Sequence, residues 1–359
     1  MDLEVLYERA RLFREIRSFF DQRNYLELDT PLLSPDLIPE TCLEVFETAC
    51  VAPPGSKTRS SRPYWLIPSP EIWMKKLIAR HCVSVYQICK CFRNGESTGH
   101  LHSPEFTMLE YYTMEADYRD SLALTEELFA RLLELCPQGA GELCSDELCP
   151  PSEGTELRQR QSPGLRPPFL RLTMEDAFAR YAGFDLFKAV ERGTLADEAR
   201  RLGLNPPPDL AVPALYDLIF IHAVEPSLPK DRIVALTDYP AFVPCLAKKS
   251  GDGRTVERWE LYARGIELAN CYSEETDPGE IRRYFDREGQ EKNRTALVPH
   301  TIDEDYWKNF LPRADGPFPG GEPQGFPQCS GVAMGLDRLF MALMGKSCID
   351  AALPFPMSL

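Results

Sequence analysis

Side chains that could bind phosphates and a purine are concentrated in one segment, CFRNGESTGHLHSPEFTMLEYY, which spans residues 91–112. Arg93 leaves a strand-like run beside a glycine-containing turn, so its planar guanidinium could hold a phosphate through two parallel hydrogen bonds. His102 could add a donor from the other arm of the segment. Phe106 offers an aromatic face for a purine. These chemistries together favour a nucleotide as the ligand of this hairpin.

The returning arm of the same hairpin carries a carboxylate and a phenol. Glu110 and Tyr112 are two residues apart, so they point to one face of a sheet, where they would suit an ammonium group. An alternative interpretation makes Arg93 and Glu96 a surface ion pair. It likewise makes Phe106 and Tyr112 core aromatics. The concentration of these residues in one hairpin weakens that alternative.

Three glutamates recur at steps of seven through the segment RWELYARGIELANCYSEETD: Glu260, Glu267 and Glu274. A turn at Arg264-Gly265 would place Glu267 diagonally opposite Glu260 on one face of a hairpin. Two converging carboxylates are costly unless a cation lies between them. Magnesium carried by ATP is the natural candidate, because it accepts one or two carboxylates and takes its other ligands from phosphate and water. An exposed acidic hairpin explains the pattern equally well.

A third candidate segment, SGVAMGLDRLFMAL, runs small residues into an arginine at a predicted helix start. Gly331 and Gly335 would let a ligand approach the backbone, and Arg338 could reach a terminal phosphate. The alternative is a tightly packed junction between sheet and helix, in which Arg338 pairs with Asp337.

The elements that must position these residues follow from hydrophobic periodicity. Helical spacing predicts helices over 3–21, 71–80, 120–135, 174–202, 215–224 and 330–338. Alternating and strand-like runs predict strands over 25–28, 65–67, 83–92, 106–112, 233–236, 258–263 and 266–272. Segments 137–168 and 312–327 are rich in Pro and Gly, and they are predicted as a mobile surface insertion and a loop.

The order of these elements indicates the fold class. The strands are neighbours in sequence and lack the regular strand-helix-strand alternation of a parallel nucleotide-binding fold. We therefore predict an α+β fold, an antiparallel sheet flanked by helices, in a single domain over residues 1–359. No GxxxxGK[ST] or GxGxxG pattern occurs, so ATP would be bound by another geometry.

Composition restricts the class of protein further. The chain has a net charge of −15 and no basic stripe, which disfavours a protein that tracks nucleic acid by its phosphates. The same acidity could simply keep the protein soluble. No secretory signal or membrane span is apparent, so we expect a cytoplasmic protein. The 12 cysteines include no CxxC pair, and we expect reduced thiols rather than disulfides or zinc ligands.

Taken together, these segments resemble class II aminoacyl-tRNA synthetases of the lysine group through all three motifs of that class. The first motif, a helix followed by a strand and a proline, resembles residues 6–31. The second resembles FRN...HSPEFTMLEYY, and the third resembles GVAMGLDRL. SPEIWMKKL, GIELANCY and the downstream ETD are also similar to that group. The likeness spans nearly the whole chain and implies the class II synthetase catalytic core.

Within this group the chain resembles stand-alone paralogues of lysyl-tRNA synthetase. Complete synthetases carry an anticodon-binding barrel before the first motif, which here begins almost at Met1, so we expect no such barrel. Ala333 supports the comparison, because the paralogues resemble SGVALG where the tRNA synthetases usually have glycine. The resemblance implies ATP and Mg2+ as cofactors and activation of (R)-β-lysine or L-lysine. It also implies elongation factor P as the acceptor, through a lysine side chain, and a homodimer that does not need tRNA.

The resemblance implies roles for individual residues as well. Those implied to bind the amino-acid substrate are Ser69, Glu71, Glu110, Tyr112, Glu274 and Ala333. Those implied to contact ATP are Arg93, Glu96, His102, Ser103, Phe106, Glu267, Leu268, Gly335 and Arg338. Glu260 and Glu267 are implied to hold magnesium. The catalytic residues implied are Arg93, Glu267 and Arg338.

Three positions depart from the family pattern. Gly95 stands where the family has glutamate, Ser103 where it has asparagine, and Cys271 where it has glycine. Two alternative functions therefore stay open. One is a truncated lysyl-tRNA synthetase that still charges tRNA or a small amine. The other is a catalytically silent paralogue that serves as a binding or regulatory subunit.

Overall fold

A computed structural model describes residues 3–51, 62–95, 100–134, 165–312 and 325–357. Its α-helices are α1 Leu3–Asp21, α2 Glu71–His81, α3 Tyr118–Leu133, α4 Met174–Ala177, α5 Leu186–Glu191, α6 Leu195–Arg201, α7 Val212–Ile219, α8 Pro278–Thr295 and α9 Leu336–Met344. Its strands are β1 Leu26–Glu27, β2 Leu33–Ser34, β3 Phe46–Cys50, β4 Arg62–Leu66, β5 Val85–Phe92, β6 Glu105–Met114, β7 Leu170–Thr173, β8 Val234–Pro240, β9 Thr255–Ala263, β10 Ile266–Ser273 and β11 Cys329–Gly335.

The main sheet has eight strands in the order β1-β5-β6-β11-β10-β9-β8-β7. Every neighbouring pair from β5 across to β8 is antiparallel. The edge strands β1 and β7 instead pair in parallel with β5 and β8. Each of these two connections passes through helices, which allows the parallel return that a tight turn cannot make. The α+β fold class is confirmed, with a sheet that is mixed rather than wholly antiparallel.

Two predicted hairpins form much of this sheet. β5 pairs with β6 along its whole length. β9 and β10 join at Arg264-Gly265, where φ is 56° and 78°. Positive φ at both central residues matches the right-handed twist of two-residue hairpins. Both hairpins are therefore confirmed.

Several helical predictions differ from the structure. The predicted helix over 330–338 is wrong in its first part, because residues up to Gly335 form β11 in the centre of the sheet. The long helix predicted over 174–202 is interrupted by Gly183 and Gly193, which adopt φ of 76° and 68° and end helical turns. The helix predicted over 215–224 ends at Ile219 and continues as wider π-type turns to Val224. The long helix α8 was not predicted.

The two faces of the main sheet are covered differently. α1, α3 and α9 cover one face, where they bury side chains such as Tyr111, Trp259 and Val332. On the other face α2 and α8 pack at the β5–β6 side. α4 to α7 pack on the same face at the β7–β8 side. Between these two groups of helices, β6, β11 and β10 carry seven of the candidate site residues.

Some predictions lie outside the described residues. These are Glu96, most of the insertion at 137–168 and most of the loop at 312–327. The single domain over 1–359 stays a prediction. Within the described ranges no helix is both long and apolar enough to cross a bilayer. The cysteines that the structure describes are free, and the reduced state of the thiols stays a prediction.

Candidate functional site

One half of the candidate site, here called the amine pocket, is a buried group of carboxylates around an ammonium group. Glu71 begins α2, and Lys75 lies one helical turn later on the same helix face. Lys75 Nζ is 2.5 Å from Glu71 Oε1 and 2.6 Å from Glu274 Oε2. The Lys75 side chain is only 2% exposed. Glu274 directly follows β10, so these ion pairs join the helix to the sheet.

Glu110 and Tyr112 complete the pocket from β6. Tyr112 donates a hydrogen bond to Glu110 Oε1 over 2.7 Å. The second oxygen, Glu110 Oε2, is buried and has no hydrogen-bond partner among the described residues. Ala333 lies opposite Glu110 in the β6–β11 register. Because an unpaired buried acceptor is costly, Glu110 is suited to receive a donor such as an ammonium group.

Two glycines of β11 leave different kinds of space. Gly331 lies opposite Tyr112, and a Cβ there would collide with the Tyr112 ring and with Glu274 Oε1. Gly331 therefore makes room for the pocket side chains, which corrects its predicted role of admitting a ligand to the backbone. At Gly335 the nearest atom to a Cβ would be Arg338 Cδ at 3.9 Å, an ordinary contact. The approach of a ligand at Gly335 therefore stays a prediction.

Burial controls the charge of the amine pocket. Burial, and then the neighbouring Glu71, hold the pKa of Glu110 well above its usual range. Burial also raises the pKa of Glu274 to about 7, although Lys75 opposes that shift. Burial alone would lower the pKa of Lys75, but Glu274 and Glu71 hold it well above its ordinary value. The pocket therefore contains a cation, Lys75, that stays charged, together with two carboxyl groups, Glu110 and Glu274, whose ionisation is disfavoured by burial.

The other half of the site, here called the nucleotide half, contains the residues that were predicted to bind phosphate. The guanidinium carbon of Arg93 lies 5.2 Å from the centroid of the Phe106 ring. Arg338, in the first turn of α9, donates to the carbonyl oxygens of Leu101 over 3.1 Å and Glu267 over 3.2 Å. Its Nη1 is also 3.7 Å from Glu267 Oε2. These contacts link the turn of the β5–β6 hairpin to the β9–β10 hairpin.

Glu260 and Glu267 lie on one face of the β9–β10 hairpin, as predicted. Tyr262 is opposite Glu267 in register and donates a hydrogen bond to Glu260 Oε2 over 2.7 Å. Arg258 pairs with Glu260 Oε1 at 2.5 Å. Burial, and then Glu260, raise the pKa of Glu267 to about 7. The Glu260 side chain is 11% exposed and that of Glu267 is 40% exposed, so the alternative of an exposed acidic hairpin does not fit Glu260. Two converging carboxylates fit a magnesium ion that takes its other ligands from ATP and water.

The remaining predicted site residues differ in position and in burial. Ser69 is half-buried just before α2. His102 and Ser103 lie immediately before β6, and Ser103 is buried. Leu268 packs its side chain into the core, so only its backbone could reach a ligand.

Sequence reasoning missed some residues of this region. Lys75 was not predicted, although its spacing of four from Glu71 was a usable signal. Glu40 was also missed; burial, and then Glu71, raise its pKa to about 7. The alternative pairing of Arg338 with Asp337 is wrong, because Asp337 Oδ1 pairs with Arg9 Nη2 at 2.5 Å.

Three features define a catalytic domain of the class II synthetase type. They are the sheet with its antiparallel centre, the β5–β6 hairpin and the strand-to-helix junction at Arg338. Residues 3–359 match the family described as tRNA synthetases class II (D, K and N), and the chain belongs to that family. Among its relatives is the Elongation factor P--(R)-beta-lysine ligase of Avibacterium paragallinarum, which is 32% identical over 354 residues, 98% of this chain and 95% of that protein. The protein of the same name from Haemophilus influenzae (strain PittGG) is 32% identical over 355 residues, 99% of this chain and 95% of that protein.

Proposed function

We propose that this protein is an ATP-dependent ligase that activates (R)-β-lysine, or L-lysine, and transfers it to a lysine side chain of elongation factor P. The observation that carries the proposal is the group formed by Glu71, which is 15% exposed, and the buried Glu110 and Glu274, beside a half-site with two arginines. Lys75 pairs with Glu71 and Glu274, but Glu110 Oε2 has no hydrogen-bond partner among the described residues. A substrate without an ammonium group would leave that oxygen unpaired, so the pocket favours a diamino acid. The names of relatives that are 32% identical over nearly the whole chain support the acceptor.

The first step is attack of a substrate carboxylate oxygen on the α-phosphorus of ATP. A P–O bond forms, the bond to pyrophosphate breaks, and an aminoacyl adenylate results. Arg93 and Arg338 would bind the phosphate oxygens and stabilise the charge that develops there, while Phe106 would stack on adenine. Magnesium held by Glu260 and Glu267 would share that stabilisation. The step needs no protein nucleophile.

The second step is attack of the neutral amine of the acceptor lysine on the adenylate carbonyl carbon. A C–N bond forms, the C–O bond to AMP breaks, and AMP leaves with the bonding electrons. The proton released by the amine can pass to the AMP phosphate or to water. The chain contributes by holding the adenylate in a fixed orientation, which makes the reaction with a docked acceptor effectively unimolecular.

The proposal also includes a homodimer and a cytoplasmic location. α1 and the strands after it leave large apolar side chains exposed, including Leu3 at 63%, Tyr7 at 68% and Leu26 at 55%. A second copy of the chain could cover this surface. An elongation factor as acceptor implies a protein of the cytoplasm.

The test is ATP-pyrophosphate exchange with L-lysine and (R)-β-lysine, followed by mass spectrometry of elongation factor P incubated with enzyme, ATP and the better substrate. We expect exchange and a mass gain on elongation factor P. Arg93→Ala should abolish both, whereas Arg232→Ala, at an exposed arginine paired with Asp231, should keep them. A parallel assay with tRNA would detect a truncated synthetase. Absence of exchange with both amino acids would contradict the proposal and favour a silent paralogue.

A further inference from the structure

Lys75 is a buried cation in a pocket whose other charged groups are carboxylates. It contacts Glu71 and Glu274 through the same nitrogen, at 2.5 and 2.6 Å. These two acids come from distant parts of the chain, the first turn of α2 and the residue after β10. The Glu274 side chain is 3% exposed and that of Glu71 is 15% exposed, so water screens their charges only weakly. One ammonium group therefore fixes the position of both carboxylates.

The geometry explains why a cation is needed at this point. Two carboxylates that point at one place repel each other unless a positive charge lies between them. A protonated Glu274 would no longer attract the ammonium group of a diamino acid. Removing one partner of a buried ion pair is also far more costly than removing a surface pair.

We propose that Lys75 is a positioning residue, a built-in counter-ion that holds Glu71 and Glu274 in place and favours the ionised form of Glu274, so that the pocket accepts a diamino acid. This inference rests on the proposed function and deepens it. Selectivity for a diamine then depends on an ammonium group of the protein as well as on the carboxylates. Glu110, whose Oε2 has no hydrogen-bond partner among the described residues, remains to receive a substrate donor.

Other titratable groups also lie around Lys75. They are Glu40 from the segment before β3, Glu110 and Tyr112 from β6, Tyr306 from the short helix Tyr306–Phe310, and Cys329 at the start of β11. Burial holds the pKa values of the two phenols and the thiol well above their usual range, so these groups stay neutral between pH 6 and 9. Glu40, with a pKa raised to about 7, titrates in the same window as Glu274.

The experiment measures L-lysine binding by calorimetry, without ATP, from pH 6 to 9 in wild type, Lys75→Gln and Lys75→Arg. Glutamine keeps hydrogen-bond donors but removes the charge, so we expect the midpoint of the pH dependence to rise by about one unit or more. The affinity at pH 7 should fall about tenfold and recover at higher pH. Arginine can bridge two carboxylates and should keep the wild-type midpoint. Adding Glu40→Gln to each protein separates the titration of Glu40 from that of Glu274.

A merely structural role for Lys75 gives a different result. Lys75→Gln would then lower the unfolding midpoint, and it would change kcat and the KM for ATP together with lysine binding, without a shift in the pH midpoint. That outcome, or a wild-type profile in Lys75→Gln, would overturn the inference. If Lys75→Gln does not fold, the comparison of Lys75→Arg with wild type still tests the inference. A shifted pH midpoint of lysine binding in folded Lys75→Arg would contradict a role that depends on charge alone.

The wild-type enzyme separates this inference from the proposed function. Exchange with a lysine isomer in wild type, together with unaltered binding in Lys75→Gln, would reject the role of Lys75 and leave the ligase intact. Absence of exchange and of L-lysine binding in wild type would reject the proposed function itself.

Discussion

At the scale of single residues, the shape of the amine pocket depends on a missing side chain as much as on the charged ones. Gly331 of β11 lies opposite Tyr112 of β6, and any Cβ would occupy space filled by the Tyr112 ring and the Glu274 carboxylate. Both neighbours are buried and hydrogen-bonded or ion-paired. Neither can move without breaking a contact that the pocket needs.

We therefore expect Gly331→Ala to damage amine binding specifically. Overpacking of this kind costs about 1–3 kcal/mol. Displacement of Glu274 should raise the KM for the amino acid about two- to tenfold, if half of that cost falls on binding. Pyrophosphate exchange at varied amino acid and varied ATP measures both KM values. Gly251→Ala is the matched control, because a Cβ at Gly251 meets no atom within 4 Å. Equal behaviour of the two variants would contradict the argument.

How much of the site could be predicted differs from residue to residue. Glu110 and Tyr112 were predicted to share a face because strand periodicity is strict, and the structure agrees. The spacing of Lys75 from Glu71 placed both on one helix face, but a lysine at that spacing is usually a surface partner. Its burial depends on Glu274, which is some two hundred residues further along the chain. No local pattern reports such a contact.

At the scale of elements, the motif-one helix is tied to the motif-three junction by a buried ion pair. Arg9 of α1 contacts Asp337 Oδ1 at 2.5 Å and donates to Thr107 Oγ1 over 3.0 Å. Asp337 Oδ2 in turn accepts from the Thr107 backbone N–H over 2.6 Å. α1, β6 and α9 therefore meet at one point, directly beside Arg338 of the nucleotide half.

We expect Arg9→Met to destabilise the protein strongly, because it leaves the Asp337 carboxylate buried without a counter-charge. Breaking a buried pair from one side typically costs about 3–5 kcal/mol. The double variant Arg9→Met with Asp337→Asn removes both charges and should recover a substantial part of that loss. Urea unfolding of the wild type, the two single variants and the double variant measures this coupling. Strictly additive losses would show that the pair contributes nothing beyond its separate side chains.

The elements also differ in how far sequence could predict them. Hairpins with clear alternation and a two-residue turn were predictable from local signals. β11 was not, because the small residues of SGVAMG carry no strand periodicity and their extended conformation depends on β6 and β10 on either side. α8 lacks an obvious apolar stripe, since two of its buried positions are Glu288 and Lys292. Those charged side chains are buried because they bind the segment that precedes β3.

At the scale of the whole molecule, an acidic chain concentrates several proton-binding carboxylates in and around the candidate site, here called the cleft. The net charge is −15, and the pKa values of Glu40, Glu267 and Glu274 are each raised to about 7, mainly by burial. A carboxyl group with a raised pKa binds a proton in the folded state at a pH where the unfolded chain has released it. Its contribution to stability is therefore complete below the unfolded pKa of about 4.5 and is lost as the pH rises through about 7.

The ligand-free protein should consequently become less stable as the pH rises from 6 to 8, by a few degrees in Tm. Glu274→Gln should make that decline smaller, because it removes one of the groups whose ionisation in the cleft is unfavourable. Glu280→Gln is the matched control: it removes the same charge from α8, at an exposed carboxyl whose pKa is lowered chiefly by its hydrogen bond with Arg283.

L-lysine should raise the wild-type Tm more at pH 8 than at pH 6, since binding needs the ionised carboxylates. Thermal unfolding of the three proteins at both pH values, with and without L-lysine, measures these effects. An equal decline in Glu274→Gln and Glu280→Gln would mean that general charge repulsion, rather than the cleft carboxylates, sets the pH dependence.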